Sequence, residues 1–365
     1  MVNRNDLLIK FGGDSIRTLK TKKYLERQGV EVKLLLNEKE SVDIYKYDVI
    51  HIFNIQNLRL ISKWNRVAKK RPVVISTIWW RSNKTLEFLY RLYRQYNPKY
   101  KVIINLFEKI VGETMGIRIF SQIHRYKFAH QEREFLKRSR WIITESESEA
   151  KQLENFLHLN IVNKTTAIPS GLNREIFITE PDKKKGLGRL PNNFVLSVGR
   201  IDPVKNQVGI ITAMLRDNSI PLVFVGSKTG PLSYKKYIEE FEILSKKHGN
   251  VYWFDNQNQQ DLRSFYEKAS VYCQPSAWET FGMAACEAVY AGCNLVITEE
   301  GGIKDYFKNA VVCDPYNIES IRTAILKAVK QERGTTRAYD WNVFEWDDVA
   351  KKTFECYSKA LGFNK

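Results

Sequence analysis

Short apolar runs alternate with longer helical segments along most of the chain, and this alternation limits the fold more than any other feature. The predicted strands are 7–11, 30–36, 48–53, 72–77, 141–144, 162–168, 194–198, 221–225, 250–254, 270–274, 294–298 and 310–313. Strands separated by helices pair in parallel and are covered by helices on both faces of the sheet. We therefore expect an α/β protein built from doubly wound, Rossmann-like parallel sheets.

The length of 365 residues favours two domains over one. A charged, glycine-bearing stretch at 181–188 has the composition of a linker. The sequence thus predicts an N-terminal Rossmann-like domain at 1–175 and a second one at 190–335. Residues 336–365 end in one amphipathic helix.

The formal net charge of +17 indicates an anionic partner: nucleic acid, a membrane surface or a phosphorylated ligand. The five cysteines form no CxxC pair, which is typical of free thiols in a reducing compartment. The N-terminus shows no signal-peptide core, and no apolar run reaches the roughly 18–20 residues that span a bilayer. We expect a cytoplasmic protein, with attachment to a membrane surface left open. No Asp-x-Asp cluster or His/Cys spacing in the sequence suggests a metal site.

Two glutamates flank the start of a helix in the stretch 276–287. Glu279 precedes the predicted helix start at Gly282–Met283, and Glu287 lies more than one turn inside it. Both carboxylates then face the carboxyl end of the preceding strand, where open α/β sheets bind ligands. The free N–H groups of a helix N-terminus bind anions, and Gly282 permits close approach of a phosphate. The arrangement suits a sugar diphosphate; the alternative is a pair of solvated acids near a helix start.

A second block, 195–206, places Gly199, Arg200 and Lys205 after a buried strand. Two cations at that position can neutralise a diphosphate leaving group. The alternative is ordinary surface charge on a loop of a very basic protein.

The two blocks together resemble the donor site of retaining glycosyltransferases of family four. The resemblance covers the C-terminal half well and the N-terminal half in outline. It implies the GT-B arrangement, with two Rossmann-like domains facing a cleft, and metal-independent transfer of a sugar with retention. The nucleotide-diphosphate sugar is a substrate, so no cofactor is expected.

The same resemblance implies roles for individual residues. Arg200 and Lys205 would contact the diphosphate, Glu287 the ribose, and Glu279 the transferred sugar, which makes Arg200, Lys205 and Glu279 the catalytic candidates. The remaining predicted donor contacts are Gly199 and the backbone amides of Phe281, Gly282 and Met283.

In the N-terminal half the resemblance is looser. The Gly12-Gly13 loop would lie against the donor phosphates, although a plain strand-to-helix turn also uses glycine. Trp79 stands where many relatives carry a histidine, so Trp79, Trp80 and Arg81 become candidates for contact with the acceptor; the alternative is a packed tryptophan pair. The terminal helix would cross back to the first domain.

The region 86–140 is basic and aromatic, and such a region can lie in an anionic membrane interface or form a solvated helix face. We expect the acceptor to be a lipid-linked glycan in bacterial capsule, O-antigen or exopolysaccharide synthesis, with the enzyme held peripherally on the inner face of the cell membrane. One alternative is a GT-B enzyme with a soluble small-molecule acceptor. Another is a basic nucleic-acid-binding protein, for which no RNP-like or helix-turn-helix motif is present.

Overall fold

The computed structural model describes residues 1–9, 12–36, 42–124, 126, 129–178, 190–229 and 234–363. The predicted linker at 181–188 lies outside the described residues. In chain order the helices are α1 (Gly13–Arg27), α2 (Leu58–Asn65), α3 (Asn83–Tyr96), α4 (Pro98–Val111), α5 (Glu113–His124), α6 (His130–Arg138), α7 (Glu147–Leu157), α8 (Glu175–Ile178), α9 (Gln207–Met214), α10 (Lys235–His248), α11 (Gln259–Lys268), α12 (Met283–Tyr290), α13 (Ile318–Val329) and α14 (Trp346–Leu361).

The strands form two parallel sheets and one short antiparallel pair. They are β1 (Ile50–Phe53), β2 (Val73–Ser76), β3 (Trp141–Thr144), β4 (Thr165–Ala167), β5 (Val195–Val198), β6 (Leu222–Val225), β7 (Val251–Phe254), β8 (Val271–Gln274), β9 (Asn294–Thr298), β10 (Phe307–Lys308), β11 (Val311–Cys313) and β12 (Arg337–Ala338). The first parallel sheet has the order β1-β2-β3-β4, the second has the order β11-β9-β8-β5-β6-β7, and β10 pairs with β12. Strands β1, β2, β6, β8 and β9 are buried along their whole length, as expected for parallel strands covered on both faces.

The chain divides into two compact units. Unit 1 comprises residues 1–82, 121–172 and 340–365, and unit 2 comprises 83–120 and 173–339. Within unit 1, α14 packs its buried Val349, Ala350 and Tyr357 into the same apolar cluster as Tyr24 and Leu25 of α1. The terminal helix is therefore part of the unit that contains β1–β4.

Unit 2 takes in residues 83–120, which the sequence analysis placed in the N-terminal domain. The apolar side of α3 packs on α10: Leu92 and Tyr96 belong to the same buried cluster as Tyr237 and Phe241. The Tyr96 ring lies 5.5 Å from the Tyr237 ring, and its hydroxyl donates to Glu240 at 2.8 Å. Tertiary packing of α3, rather than its position in the chain, decides its unit.

The predicted strand at 7–11 is not formed in its described part, residues 7–9, which lie in a turn. The Arg4 guanidinium pairs with Asp6 at 2.8 Å and with Asp14 at 2.7 Å, and this draws the segment into the turn. The chain reaches the edge of the first sheet earlier, through a parallel bridge between Val2 and Ile52. Apolar periodicity alone could not distinguish these two placements.

The loops that leave β5 and β6 touch through two glycines. A methyl group on Gly226 would lie 2.2 Å from the Gly199 carbonyl oxygen, and Gly226 has φ of +147°. We expect Gly226→Ala to lower the free energy of unfolding by about 3 kcal/mol, because it adds a backbone clash to a strained φ. The measurement is the urea midpoint of tryptophan fluorescence. Gly249 is the control position, because its φ is +78° but a methyl group added there would have no atom within 4 Å. Gly249→Ala should lower the free energy of unfolding by only about 1 kcal/mol. Equal losses for the two variants would contradict the predicted contact.

Candidate active site

The second sheet reverses its order of strand addition between β5 and β8. From β5 the chain adds β6 and β7 on one side, and later adds β8, β9 and β11 on the other. In open α/β sheets a ligand site forms outside the carboxyl ends of the strands at such a switch point. The block 199–205 follows β5, and the block 275–287 follows β8, so both predicted motifs lie at the switch point.

Lys205 and Glu279 join the two motifs. The Lys205 ammonium lies 2.6 Å from Glu279 Oε2, and the side chains are 30% and 15% exposed. Burial lowers the pKa of Lys205, but attraction and hydrogen bonding by Glu279 outweigh it, so the pKa is raised. The same Glu279 oxygen accepts a hydrogen bond from the Gln274 side-chain amide. Lys205 therefore stays cationic at neutral pH and is held at the edge of the site.

Arg200 is positioned by Asp202, a buried carboxylate in the same loop. Asp202 Oδ2 accepts from Arg200 at 2.8 Å, and Asp202 Oδ1 accepts from the Lys205 backbone N–H at 3.0 Å. The Arg200 side chain remains 53% exposed. One carboxylate thus fixes the loop that carries both cations and leaves the guanidinium open to a ligand.

Helix α12 begins as predicted. Gly282, with φ of +81°, precedes Met283, the first residue of the helix. A methyl group on Gly282 would lie 3.3 Å from Glu279 Cγ, so the glycine also allows the Glu279 side chain to pack against it. The early N–H groups of a helix have no intrahelical partner. Phe281 is buried, so only its backbone can serve a ligand.

Glu287 lies deeper in the same group of residues. The Tyr266 hydroxyl donates a hydrogen bond to Glu287 Oε2 at 2.9 Å. Burial raises the pKa of Glu287 to about 7, against a smaller lowering by that hydrogen bond. The buried Tyr272 hydroxyl donates to Gln274 Oε1 at 2.8 Å and feels the charge of both Glu279 and Glu287. Gln274 and Tyr272 thus form a hydrogen-bonded chain behind Glu279, and Tyr266 binds Glu287; none of these three was predicted from the motifs.

The loop after β9 fixes the backbone of Glu279. The Glu279 N–H donates to the Glu300 carbonyl at 2.9 Å, and Gly301 forms a parallel bridge with Glu279. A methyl group on Gly301 would lie 2.8 Å from the Glu279 carbonyl oxygen. This close backbone approach is the physical reason for glycine there.

The N-terminal candidates lie in unit 1. Gly12 is the N-cap of α1, its N–H donates to Ser15 Oγ at 3.2 Å, and Gly13 is the first residue of the helix. The Gly12 amide is thus already used within the turn. In this structure Gly12 and Gly13 form the start of α1, and their contact with a donor stays a prediction.

The tryptophan pair is packed into unit 1. Trp79 is fully buried against Phe156 and donates its indole N–H to Glu132 at 3.3 Å, and Trp80 is buried as well. Arg81 also pairs with Glu132, at 2.8 Å. A ring without an exposed face has no surface on which an acceptor can stack, so the packed-pair alternative describes Trp79 and Trp80. Of the three candidates, Arg81 is the one whose side chain is partly exposed and could contact an acceptor.

Two absences were found among the described residues. No group of three His, Cys, Asp or Glu side chains lies close enough together to hold a metal ion. In the same part of the chain, no helix combines the length and apolar character needed to cross a bilayer.

Comparison with known proteins finds a family match within the second half of the chain. Residues 179–341 match the family of glycosyl transferases group 1. Among curated proteins, the chain is 27% identical over 179 residues to an uncharacterized glycosyltransferase of Methanocaldococcus jannaschii, covering 46% of this chain and 45% of that protein. It is 25% identical over 186 residues to a probable sucrose-phosphate synthase of Beta vulgaris, covering 48% and 17%. The chain therefore spans less than half the length of these relatives.

Solved structures match nearly the whole chain. A sucrose-phosphate synthase from Thermosynechococcus elongatus has a TM-score of 0.68 at 16% identity, covering 97% of this chain and 94% of that one. Anabaena HepE in complex with UDP has a TM-score of 0.64 at 14% identity, covering 99% and 96%. An α,α-trehalose-phosphate synthase (UDP-forming) from Burkholderia xenovorans, in complex with glucose-6-phosphate, has a TM-score of 0.60 at 11% identity, covering 94% and 78%. The fold is GT-B. The predicted fold class, α/β with two Rossmann-like domains, is confirmed.

Proposed function

We propose that the protein is a retaining glycosyltransferase that moves a sugar from a nucleotide-diphosphate sugar to an acceptor hydroxyl. The observation that carries the proposal is the ion pair between Lys205 and Glu279 at the β5/β8 switch point, with Arg200 held beside it by Asp202. Retention and independence of a metal rest on the resemblance to family four. The family match over 179–341 includes all of these residues.

In the proposed reaction the bond between the anomeric carbon and the β-phosphate oxygen breaks, the acceptor oxygen bonds to the anomeric carbon, and the acceptor hydroxyl proton passes to the leaving diphosphate. Negative charge grows on the diphosphate, and positive charge grows on the anomeric carbon. Arg200, Lys205 and the N-terminus of α12 stabilise the leaving diphosphate, because fixed positive groups act most strongly where charge develops. The diphosphate competes with Glu279 for the Lys205 ammonium, and this releases the Glu279 carboxylate to accept hydrogen bonds from the transferred sugar.

We propose a uridine nucleotide as the donor. Anabaena HepE is described in complex with UDP, and the Burkholderia enzyme as UDP-forming. Glu287 would accept hydrogen bonds from the ribose hydroxyls. This assignment explains why a carboxyl group lies partly buried beside Tyr266 with no cation paired to it among the described ion pairs.

For the acceptor we propose a soluble sugar or sugar phosphate. The relatives include sucrose-phosphate synthases and a trehalose-phosphate synthase in complex with glucose-6-phosphate, and these support the soluble alternative over the lipid-linked glycan. An anionic acceptor also suits a chain with net charge +17.

The test is release of UDP from UDP-glucose by the purified protein with glucose 6-phosphate or other hexose phosphates, in buffer without lipid. Acceptor-dependent release, with a disaccharide phosphate detected by mass spectrometry, would support the proposal. Release that requires a polyprenyl-linked sugar would favour the second candidate, transfer to a lipid-linked glycan in capsule, O-antigen or exopolysaccharide synthesis. The feature that favours this second candidate is an exposed apolar surface on α4 and α5. Binding of RNA or DNA without any sugar transfer would contradict both.

UDP binding is expected to tighten as the pH rises toward about 7 and then to level off, because burial raises the pKa of Glu287 to about 7. Below that pH most of the carboxyl is protonated in the free protein, and affinity should fall about tenfold per pH unit if only the ionised form accepts both ribose hydroxyls. Titration calorimetry from pH 5.5 to 8.5 measures the slope. Glu287→Gln has no titrating group at this position and is the control for the protonation of UDP itself. Equal slopes for the two proteins would show that Glu287 does not bind UDP.

A further inference from the structure

Helix α4 displays a continuous apolar stripe to solvent. Val102, Ile103, Leu106 and Ile110 lie at i, i+1, i+4 and i+8, which is one side of a helix. Their side chains are 56–82% exposed. Met115 adds exposed apolar surface on α5. Contiguous exposed apolar surface of this kind marks a site of interaction, because single scattered side chains are the rule elsewhere.

The opposite side of the two helices packs against the rest of the protein. The stripe is therefore not the side by which α4 and α5 pack into the core. Ile104 of α4 is buried. The Tyr93 ring of α3 stacks on Tyr100 of α4 at 5.1 Å and meets Phe120 of α5 at 6.1 Å. These aromatic contacts hold α4 and α5 on α3 with the stripe turned outward.

The acids of this surface are turned toward α3 and neutralised there. Glu108 accepts from the Tyr90 hydroxyl at 2.9 Å and pairs with Arg94 at 3.1 Å. Glu113 lies 3.5 Å from Arg94 and 3.9 Å from Arg91. The carboxylates of α4 and α5 therefore do not offset the cations beside the stripe.

Three cations on the same two helices have no ion-pair partner among the described residues: Lys101, Lys109 and Arg118. All three are exposed, Lys101 and Lys109 on α4 and Arg118 on α5. An apolar stripe accompanied by free cations matches an interface of acyl chains and anionic headgroups. A second copy of this chain fits less well, because it would bring the same cations together in a protein of net charge +17.

We propose that the α4–α5 surface, defined by the apolar residues Val102, Ile103, Leu106, Ile110 and Met115 with the cations Lys101, Lys109 and Arg118, docks the protein on an anionic lipid surface. The helices lie in the plane of the interface, with the stripe among the upper acyl chains and the three cations at the headgroups. The inference does not depend on which donor or acceptor the active site uses, since a soluble acceptor is equally compatible with an enzyme held at a membrane.

A fluorophore at one position of the stripe tests insertion directly. Ile110→Cys is labelled with nitrobenzoxadiazole; the five native cysteines are buried and should stay unlabelled, which the wild type verifies. Vesicles of phosphatidylcholine with phosphatidylglycerol should shift the emission to the blue and strengthen it, while vesicles of phosphatidylcholine alone should have a much smaller effect. Ile243→Cys, at a 66% exposed isoleucine on α10, is the matched control and should not respond.

Vesicle co-sedimentation tests the charge requirement. The triple variant Lys101→Gln/Lys109→Gln/Arg118→Gln should bind anionic vesicles on the order of 100-fold more weakly, about fivefold for each charge. The triple variant Lys236→Gln/Lys246→Gln/Lys247→Gln removes the same net charge from exposed sites on α10 and should bind as the wild type does.

Equal losses for the two triple variants, or no response of the label at position 110, would overturn the proposal. A label response that grows with protein concentration in the absence of vesicles would also overturn it, because it would identify a second copy as the occupant. UDP binding, measured on the same proteins, should be unchanged, so a failure of lipid docking is distinguishable from a failure of the proposed function.

Discussion

Replacing Lys205 with methionine is expected to lower kcat for sugar transfer by about 10²–10³-fold, the usual cost of removing one preorganised group that stabilises developing charge. The ammonium lies 2.6 Å from Glu279, and both side chains are mostly buried. Methionine keeps most of the unbranched side chain but leaves the Glu279 carboxylate without its cation. Steady-state release of UDP at saturating donor measures the effect.

The control is Lys246→Met, an exposed lysine on α10, which should retain full activity. Circular dichroism and the unfolding midpoint of Lys205→Met establish that the variant is folded. A folded Lys205→Met protein with kcat within threefold of the wild type would contradict the role of Lys205 at the leaving group.

The second large effect separates the two glutamates. Glu287→Ala should weaken UDP binding by about 10–100-fold, as expected when a hydrogen-bonded charged group of about 1.5–3 kcal/mol is lost. Glu279→Ala should leave UDP binding unchanged or slightly tighter, because Lys205 is then freed from its ion pair. The same variant should lower kcat by at least about 10²-fold, because its carboxylate is assigned to the transferred sugar.

Calorimetry with UDP and steady-state kinetics with the nucleotide sugar make the comparison. Glu287→Gln keeps the shape and the contact with Tyr266, and should bind UDP more tightly than Glu287→Ala does. The opposite ranking, with weak UDP binding in Glu279→Ala and normal binding in Glu287→Ala, would reverse the two roles.

The second domain was predictable because several local signals agree there. The apolar runs of β5, β6 and β8 are each followed by a glycine or a proline, and Gly282 is the residue that the backbone requires before α12. Fully buried parallel strands leave little freedom in register, since both faces must be apolar. The resemblance to family four placed Lys205 and Glu279 in one donor site, and the structure joins them by an ion pair.

The first domain was predicted less well because its local signals compete with long-range contacts. Ion pairs of Arg4 draw residues 7–9 into a turn despite their apolar pattern. Trp79 follows a strand, and a residue in that position can contact a ligand. Phe156 and Glu132, from helices far along the chain, contact Trp79 and help to bury it. Neither set of partners can be recognised from the neighbouring sequence.

The connections inside the site were missed for a similar reason. Tyr272 lies in an apolar run and was treated as core, although a buried phenol needs a hydrogen-bond partner. Its partner is Gln274, two residues along the same strand, which in turn donates to Glu279. The sequence did hold a signal for this contact. A tyrosine and a glutamine two residues apart on a strand lie on the same side of it, and here they precede a motif glutamate by a few residues.

The central claim is that unit 2 binds a nucleoside diphosphate through Arg200 and Lys205 opposite the N-terminus of α12. Thermal unfolding with UDP in the presence of a chelator tests it most directly. We predict that UDP at about 100 times its Kd raises the wild-type Tm by roughly 5 °C, and that Arg200→Ala loses most of this shift. An unchanged Tm in the wild type with every nucleoside diphosphate, or an equal shift in Arg200→Ala, would contradict the account.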